Sequence, residues 1–537
     1  MSTQTSLSPQ VSQALALCAI CLATIFIPKF LQWRTRMQKL NAIPTVGHSG
    51  FFLSYISARK FKTHAREIIL EGYSKAFKVA LPDQWEVIVS GREMIEDIRK
   101  ASDLDLSFIE AVRETMQSDY TLGKPARVDA YHIDVVRTPL TRNLGAKFDE
   151  LRDEIKASFA DEFPAKEMEW IKVPMLYTVM KIIARTSNRY FVGLPLCRDP
   201  DYIKLSIEFT VDAVTGARAL QHYPGIFKPI VRQFLTNVPN CLKRATGHLE
   251  LLIRERLEKE KEYGSSDWPG KPNDLISWLL YEAQGHERRK DIVYNIVSRV
   301  LLVNFSAIHT TSVTCTNALF YLAANPHLVQ PLREEVESIV AELGWTKAAM
   351  GKMHKLDSFL KETQRLSGVG GGAFPLFLYH KILASDGSAL TVTMVRKVLR
   401  DFTFSNGTVV PAGAIMSVAS VGMHHDNTLY EDPEEMKAFR FSNMRSKEGE
   451  GLKHQMVGID PTFTLFGGGG RHMWQVVDSP GRFFAVSELK ALIGEVLLAY
   501  DIKFENGEMP APEWQGVNFS PNRFAQVMFK RRIPGSA

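Results

Sequence analysis

The stretch from Phe466 to Ala485 reads FGGGGRHMWQVVDSPGRFFA. Gly467 to Gly470 carry no Cβ, so the backbone there can approach a bulky ligand closely. Arg471 and His472 follow directly. At the far end, Ser479-Pro480-Gly481 leads into Arg482-Phe-Phe-Ala-Val-Ser-Glu-Leu-Lys490. Between the two ends lies Met473-Trp-Gln-Val-Val-Asp478, which contains no cysteine.

The chain around this stretch has 537 residues, 45% hydrophobic and 23% charged, which is globular composition with material for a large core. Its net charge of +6 is small for that size, and no Lys/Arg cluster is interleaved with aromatics, so a nucleic-acid partner is not expected. The five cysteines are Cys18, Cys21, Cys197, Cys241 and Cys315. Their odd number and scatter argue against a disulfide framework and fit a reducing compartment.

Val11 to Leu31 is apolar, and it is free of charge up to Ile27. That is near the lower limit of roughly 17 residues for a membrane-spanning helix. Arg34, Arg36 and Lys39 follow it, whereas Met1 to Gln10 has neither Lys nor Arg. The positive-inside rule then leaves the C-terminal bulk in the cytosol. A cleaved signal peptide would carry its positive charge before the apolar run, so an uncleaved anchor is the better reading. The expected organisation is a short lumenal N-terminus (1–10), a transmembrane anchor (11–31), a linker with a proline hinge at Pro44 (32–50) and one large domain (51–537).

From Phe148 to Ala324 the pattern is mostly helical. Asp149–Ile155 and Leu249–Leu257 place apolar residues at helical spacing, and Tyr263–Asn273 reads as a polar loop. The long apolar segment from Asp291 to Ala324 contains Arg299, Asn304 and His309 and ends at Asn325-Pro326, which suits a helix buried in protein rather than in lipid. Leu390–Val395 and Thr408–Gly413 flank the turn-like Ser405-Asn406-Gly407 and predict a hairpin. The fold class expected is mainly α, with a small β region.

Glu362 and Arg365 are three apart on a predicted helix and share a face. Taken alone, that is an ordinary surface ion pair. Arg440 stands between Phe439 and Phe441, an unusual place for a solvated charge. Thr310 and Thr311, taken alone, are threonines that bond back within their helix.

Together these stretches resemble the cytochromes P-450, whose haem loop runs Phe-Gly-x-Gly-Arg-His-x-Cys-Pro-Gly into a helix. Gly467, Gly469, Arg471 and His472 match its first half, and Pro480-Gly481 its second. Glu362, Arg365 and Arg440 match the family's Glu-Arg-Arg triad, and Ser306-Ala-Ile-His-Thr-Thr311 resembles its oxygen-activation segment, in the style of fungal enzymes acting on terpenoids and steroids. The resemblance covers nearly the whole chain. It implies the family's fold, a helical domain with an N-terminal transmembrane helix, and a haem b cofactor. It also implies a haem-thiolate monooxygenase acting on a hydrophobic small molecule, with electrons from an NADPH-dependent cytochrome reductase at the endoplasmic reticulum membrane. Arg471 and Arg396 would pair with haem propionates, and Arg137 or His132 would supply a third donor. Thr310 would serve the bound oxygen, with His309 and Thr311 beside it; the family more often has an acid where His309 stands.

The chain departs from this pattern twice. Where the axial cysteine is expected it has Ser479, and 473–478 reads as an insertion, so no thiolate metal ligand is present there. A second apparent insertion covers 372–388, between the Glu362 helix and the next strand. The alternative is therefore a catalytically inactive member acting as a binding or scaffold protein. Deleting Met1 to Leu31 is expected to release most of the protein from microsomal membranes, as measured by carbonate-resistant sedimentation; an unaltered membrane fraction would sink the anchor reading.

Overall fold

A long apolar helix runs through the middle of the computed structural model, which describes residues 31, 34–50, 53–81, 84–123, 125, 128–167, 169–265, 267–368, 392–467, 479–515 and 518–532. The principal helices are α1 (Leu53–Gly72), α2 (Phe148–Glu162), α3 (Met175–Phe191), α4 (Pro200–Gln221), α5 (Val238–Tyr263), α6 (Ile292–Ala324), α7 (Val329–Leu343), α8 (His354–Ser367), α9 (Arg440–Arg445) and α10 (Arg482–Ala499). The central one, α6, packs against α3, α4, α5, α8 and α10. Its apolar window has a mean hydropathy of 1.4, enough to cross a membrane, yet 61% of that window is buried inside the protein. Val297, Val300, Leu301 and Ile308 are all fully buried. Each such side chain contributes about 1.5–3 kcal/mol by leaving water, so α6 is held by tertiary packing.

The helix ends follow local chemistry. Asp199 caps α4 by accepting from the Tyr202 amide at 2.8 Å, and Pro200 takes the first helical position, where no amide donor is needed. At Asn325-Pro326 α6 stops. Beyond α8, Gly368 has φ +66°, a conformation that favours glycine.

The β region begins with β1 (Phe77–Ala80), β2 (Trp85–Val89) and β3 (Leu106–Ser107), and β4 (Ile171–Pro174) precedes α3. Later come β5 (Thr393–Val398), β6 (Ile415–Val418), β7 (Tyr500–Lys503) and β8 (Gln526–Arg531). One sheet has the order β1-β2-β6-β5-β3 and another the order β4-β8-β7. β2 and β6 run parallel, with Val87 opposite Met416, and β5 pairs antiparallel to β6, with Arg396 opposite Met416. The hairpin expected from the sequence is displaced. The Asn406-Gly407 turn closes a shorter pair, Phe402–Thr403 with Val409–Val410, and β5 takes β6 as its partner instead. Gly407 has the positive φ the turn needs, and the fully buried β6 begins just beyond the expected partner segment.

The expected linker does not stand off from the domain. Leu40 and Ile43 are buried, and the buried Lys78 ammonium donates to their carbonyls at 2.7 and 2.9 Å. Arg36 donates to the Gly413 carbonyl at 2.6 Å, and the Lys78 amide donates to the Pro44 carbonyl at 2.8 Å. The segment around Pro44 is thus clasped to the first sheet. Residues 1–30, most of the expected anchor, lie outside the described residues.

Glu488 on α10 is fully buried against α3, where it accepts from Thr186 at 2.6 Å and Ser187 at 3.0 Å. Burial pushes its carboxyl from an ordinary 4.5 up to about 7, against the opposing pull of those two hydroxyls. The folded state therefore prefers the protonated acid. This contribution to stability is fully present below 4.5 and is lost as pH rises through about 7. At 1.36 kcal/mol per unit the swing is about 3 kcal/mol. Glu488→Gln is expected to gain about that much over the parent at about pH 8 and little at about pH 4, measured by denaturant unfolding at both values.

Candidate active site

Glu362 and Arg365 project from one face of α8 and form a bidentate pair, Arg365 Nε to Glu362 Oε2 at 2.9 Å and Nη2 to Oε1 at 2.8 Å. Both side chains are completely buried. Arg440, at the start of α9, brings its Nε to the same carboxylate at 3.0 and 3.2 Å, and the Lys437 amide donates to Oε1 at 3.2 Å. The remaining guanidinium donors end on backbone carbonyls. Arg365 reaches His424 at 2.5 Å and Pro433 at 2.7 Å; Arg440 reaches Glu431 at 2.6 Å. A buried charge is tolerated when it is paired and its other hydrogen-bonding positions are filled, and here both conditions hold. The cluster fastens α8 to the loop between His424 and Arg440.

That loop supports the chain leading to Phe466. Tyr430 donates to the Thr462 carbonyl at 2.9 Å, and the His424 ring stacks on Phe463 at 5.2 Å. The buried Lys361 ammonium sits over the rings of Phe441 at 4.4 Å and Phe463 at 4.7 Å. Desolvation lowers it to about 8. Thr464 shares a hydrogen bond with Thr393 of β5 at 2.7 Å. These support residues carry no motif of their own. Only the position of Lys361 beside Glu362 on a buried helix hints at its role.

Gly467 adopts φ +97°, and its amide donates to the Thr464 carbonyl at 3.0 Å. The Ser479 amide then donates to the Phe466 carbonyl, also at 3.0 Å. The chain therefore leaves this point after Gly467 and returns to it at Ser479. Arg482 follows with its amide on the Ser479 carbonyl at 3.1 Å, and α10 begins. Gly469, Arg471 and His472 lie outside the described residues, as do both apparent insertions.

On α6, Ser306 is exposed and Ala307 and Thr310 are half-buried, although Asn304 and Ile308 beside them are fully buried. These three residues form an open stretch in the middle of an otherwise buried helix. Thr310 Oγ1 donates to the Ser306 carbonyl at 2.9 Å. His309 and Thr311, its neighbours in the chain, are buried. A residue adjacent in a helix is turned by about 100°. His309 is 1% exposed and its Nε2 bonds the Ile207 carbonyl of α4 at 3.0 Å, so Nε2 carries the proton. Desolvation lowers its pKa to about 4, leaving it neutral at physiological pH.

Arg396 is buried on β5, where its Nη1 donates to the Val395 carbonyl at 2.8 Å and its guanidinium lies 5.7 Å from the Phe108 ring. Arg137 pairs with Asp134 at 3.1 Å in a segment next to the haem-type loop; a Cβ at Gly481 would lie 3.6 Å from Val136 Cγ1. The alternative, His132, is buried against Arg299 at 2.8 Å, and burial followed by the Arg299 charge lowers it to about 3.

The sequence model named Cytochrome P-450 matches residues 59–384 and 388–525. The chain belongs to the cytochrome P-450 family. It is 41% identical over 516 residues to cytochrome P-450 monooxygenase 71 of Postia placenta, covering 95% of this chain and 96% of that one. It is 32% identical over 523 residues to cytochrome P-450 monooxygenase CYP512U6 of Ganoderma lucidum, covering 96% of each. Among solved structures, the cytochrome P450DA heme domain aligns with a TM-score of 0.65 over 92% of this chain and 98% of that one, at 13% identity, a likeness of fold.

Family and fold imply a haem cofactor, but the donor set present does not fit a thiolate-ligated one. Ser479, where the resemblance expects the axial cysteine, has a hydroxyl, which is a poor replacement for soft anionic sulfur. Cys197, Cys241 and Cys315 are buried in the helical core. Desolvation raises all three thiols, Cys197 to about 11, so they stay protonated. Cys18 and Cys21 lie outside the described residues.

Arg440→Ala would leave the buried Glu362 charge with one partner fewer. Removing one member of a buried ionic set costs about 3–5 kcal/mol. The variant is expected to lose most of its soluble yield and to unfold at lower denaturant concentration, read by circular dichroism; an unchanged midpoint would refute the role given to Arg440.

Proposed function

We propose that this chain is a haem-dependent monooxygenase scaffold for a hydrophobic secondary metabolite such as a terpenoid or steroid, impaired as it stands by the loss of its thiolate. The observation that carries the reading is the Ser479 amide on the Phe466 carbonyl at 3.0 Å, with serine where the ligand belongs. The axial thiolate is what promotes O–O cleavage in this chemistry, and nothing at Ser479 replaces it. Electrons would come from an NADPH-dependent cytochrome reductase. The proposed location is the endoplasmic reticulum membrane, single-pass, with the 51–537 domain in the cytosol.

Within this site the chain's own residues have separable tasks. Glu362, Arg365 and Arg440 hold the supporting loop. Arg396 and Arg137, together with Arg471 and His472, supply positive charge and donors suited to propionate groups. The open face of Ser306, Ala307 and Thr310 lines the cavity for the apolar substrate, and the Thr310 hydroxyl holds a transferable proton there. Segments 372–388 and 473–478 are insertions into the family pattern. The same serine also favours a second reading, an inactive relative that binds the hydrophobic molecule without oxidising it.

The test is spectroscopic. The reduced carbon monoxide complex of the chain is expected to lack the thiolate-type Soret band, and turnover with a reductase is expected to be absent. Replacing residues 473–479 by Ala-Cys restores the family spacing upstream of Pro480, apart from one spare glycine. That repair is expected to bring back haem loading and the band. Full turnover is expected to need removal of 372–388 as well. A thiolate band from the unrepaired chain would overturn the proposal, and a repaired chain that binds haem but never turns over would favour the binding protein.

A further inference from the structure

The three longest stretches of the chain without Asp or Glu are residues 1–66, 292–333 and 213–249. The stretch 292–333 is mostly the buried helix α6, where an unpaired carboxylate would be costly. The stretch 1–66 holds the apolar run Val11–Leu31 and continues into α1. Burial does not account for the third, because much of it faces outward. Tyr223, Ile226, Phe227, Ile230, Phe234 and Leu235 are all exposed, Ile226 at 80% and Phe234 at 83%. Single exposed apolar residues are ordinary, but these crowd into the interval 223–235 and form a patch. The charges in the same stretch are all positive: Arg218, Lys228, Arg232, Lys243 and Arg244.

The centre of the patch is a short helix, Lys228–Leu235, in which no residue is buried. Phe227, just before it, already has helical backbone angles. At about 100° per residue, Phe227, Ile230 and Phe234 fall on one side. Lys228 and Arg232, four apart, form the adjoining flank. The helix is fastened to the domain. Thr236, directly after it, is buried, and a Cβ on Gly216 of α4 would come within 2.6 Å of Thr236 Cγ2, so the two segments approach closely. Lys228 Nζ donates to Gln117 Oε1 at 2.7 Å, and Gln221 Nε2 donates to the Thr115 carbonyl at 2.9 Å. Asn237 Nδ2 donates to Asp212 Oδ2 at 2.8 Å. The fold thus holds the apolar side out instead of turning it in.

We infer that the helix Lys228–Leu235 is a second membrane attachment, lying in the interface of a bilayer whose surface carries anionic phospholipid headgroups. Phe227, Ile230 and Phe234 point to the acyl boundary, and Lys228 and Arg232 meet the phosphates. An anionic surface repels carboxylates, which accounts for their exclusion from the whole stretch. A second copy of the chain covering the same face would instead bring like charges together. The contact differs in kind from the Val11–Leu31 anchor. It does not span the bilayer, it weakens with salt, and alkaline carbonate strips it. Because the helix is fastened to α4 and to residues 115–117, the contact also decides which side of the domain faces the bilayer.

The test places a polarity-sensitive fluorophore on the full chain in vesicles of phosphatidylcholine, with and without phosphatidylserine. It is attached at Ile230→Cys or, as an exposed site outside the patch, at Leu452→Cys, with the parent chain labelled alongside as background. At 230 the emission is expected to shift to the blue and to be quenched by doxyl-labelled lipid but not by iodide; at 452 the reverse is expected. Water-like emission and iodide quenching at both sites would overturn the proposal. So would a shift at 230 that vanishes as the protein is diluted with lipid, because a second copy of the chain would then be the occupant. Phosphatidylserine is expected to raise the quenched fraction at low salt, by about fivefold for each of the two charges near the surface. Lys228→Gln/Arg232→Gln, with unchanged circular dichroism, is expected to abolish that dependence. A dependence that survives both substitutions would overturn the choice of an anionic surface. Flotation of the same samples reads the anchor separately: a chain that floats with 230 in water keeps its anchor and loses this contact.

Discussion

The buried carboxylate of Glu362 is the point on which the rest of the site depends. It receives two guanidinium groups and one amide. Its partners come from two distant parts of the chain, so their meeting fixes how α8 lies against the loop ending at α9. The same Arg365 that pairs with Glu362 also holds the His424 carbonyl, and the His424 ring in turn stacks on Phe463. From there the chain reaches Phe466 and Gly467 within a few residues. A local ion pair thereby acts at long range, by restricting the backbone that carries the functional loop. Low dielectric makes this an all-or-none arrangement: complete it is tolerated, and incomplete it is costly.

A second constraint is the burial of α6. Packing on most sides leaves one short interval, Ser306 to Thr310, with an open face. Helical geometry then sorts neighbouring residues into different worlds. Thr310 is half-buried on the open stretch, whereas His309 is pressed against α4, desolvated and neutral. Adjacent letters in a motif are thus not equivalent in space, and the family's usual acid has here been exchanged for a group that makes an interhelical contact. Its Nε2–H is committed to a carbonyl, so it ties α6 to α4 first of all.

The loop before α10 is closed at its two described ends, with a serine where the family resemblance expects the ligand. The Phe466–Ser479 hydrogen bond joins the two ends of the interval, and Gly467 supplies the positive φ at its start. Backbone geometry is indifferent to whether the side chain at 479 ends in oxygen or sulfur, so this closure does not depend on a cysteine there. The helical core and its buried thiols offer no substitute, since burial holds each cysteine in its protonated form.

Much of this was legible in the residues. The helical stretches, the internal character of the 292–324 helix, and the shared face of Glu362 and Arg365 follow from periodicity, from polar residues inside an apolar run, and from a spacing of three. The likeness to the cytochromes P-450 follows from motifs in order. Only the tertiary structure decided three other things. It paired β5 with the fully buried β6 and paired Val409–Val410 with Phe402–Thr403. It clasped the segment around Pro44 to the sheet through Lys78, where composition alone suggested a linker. It separated Thr310 from His309 and Thr311, because which face of a helix is covered depends on the neighbours that pack there. Periodicity can say that a helix has faces; only the other helices determine what each face meets.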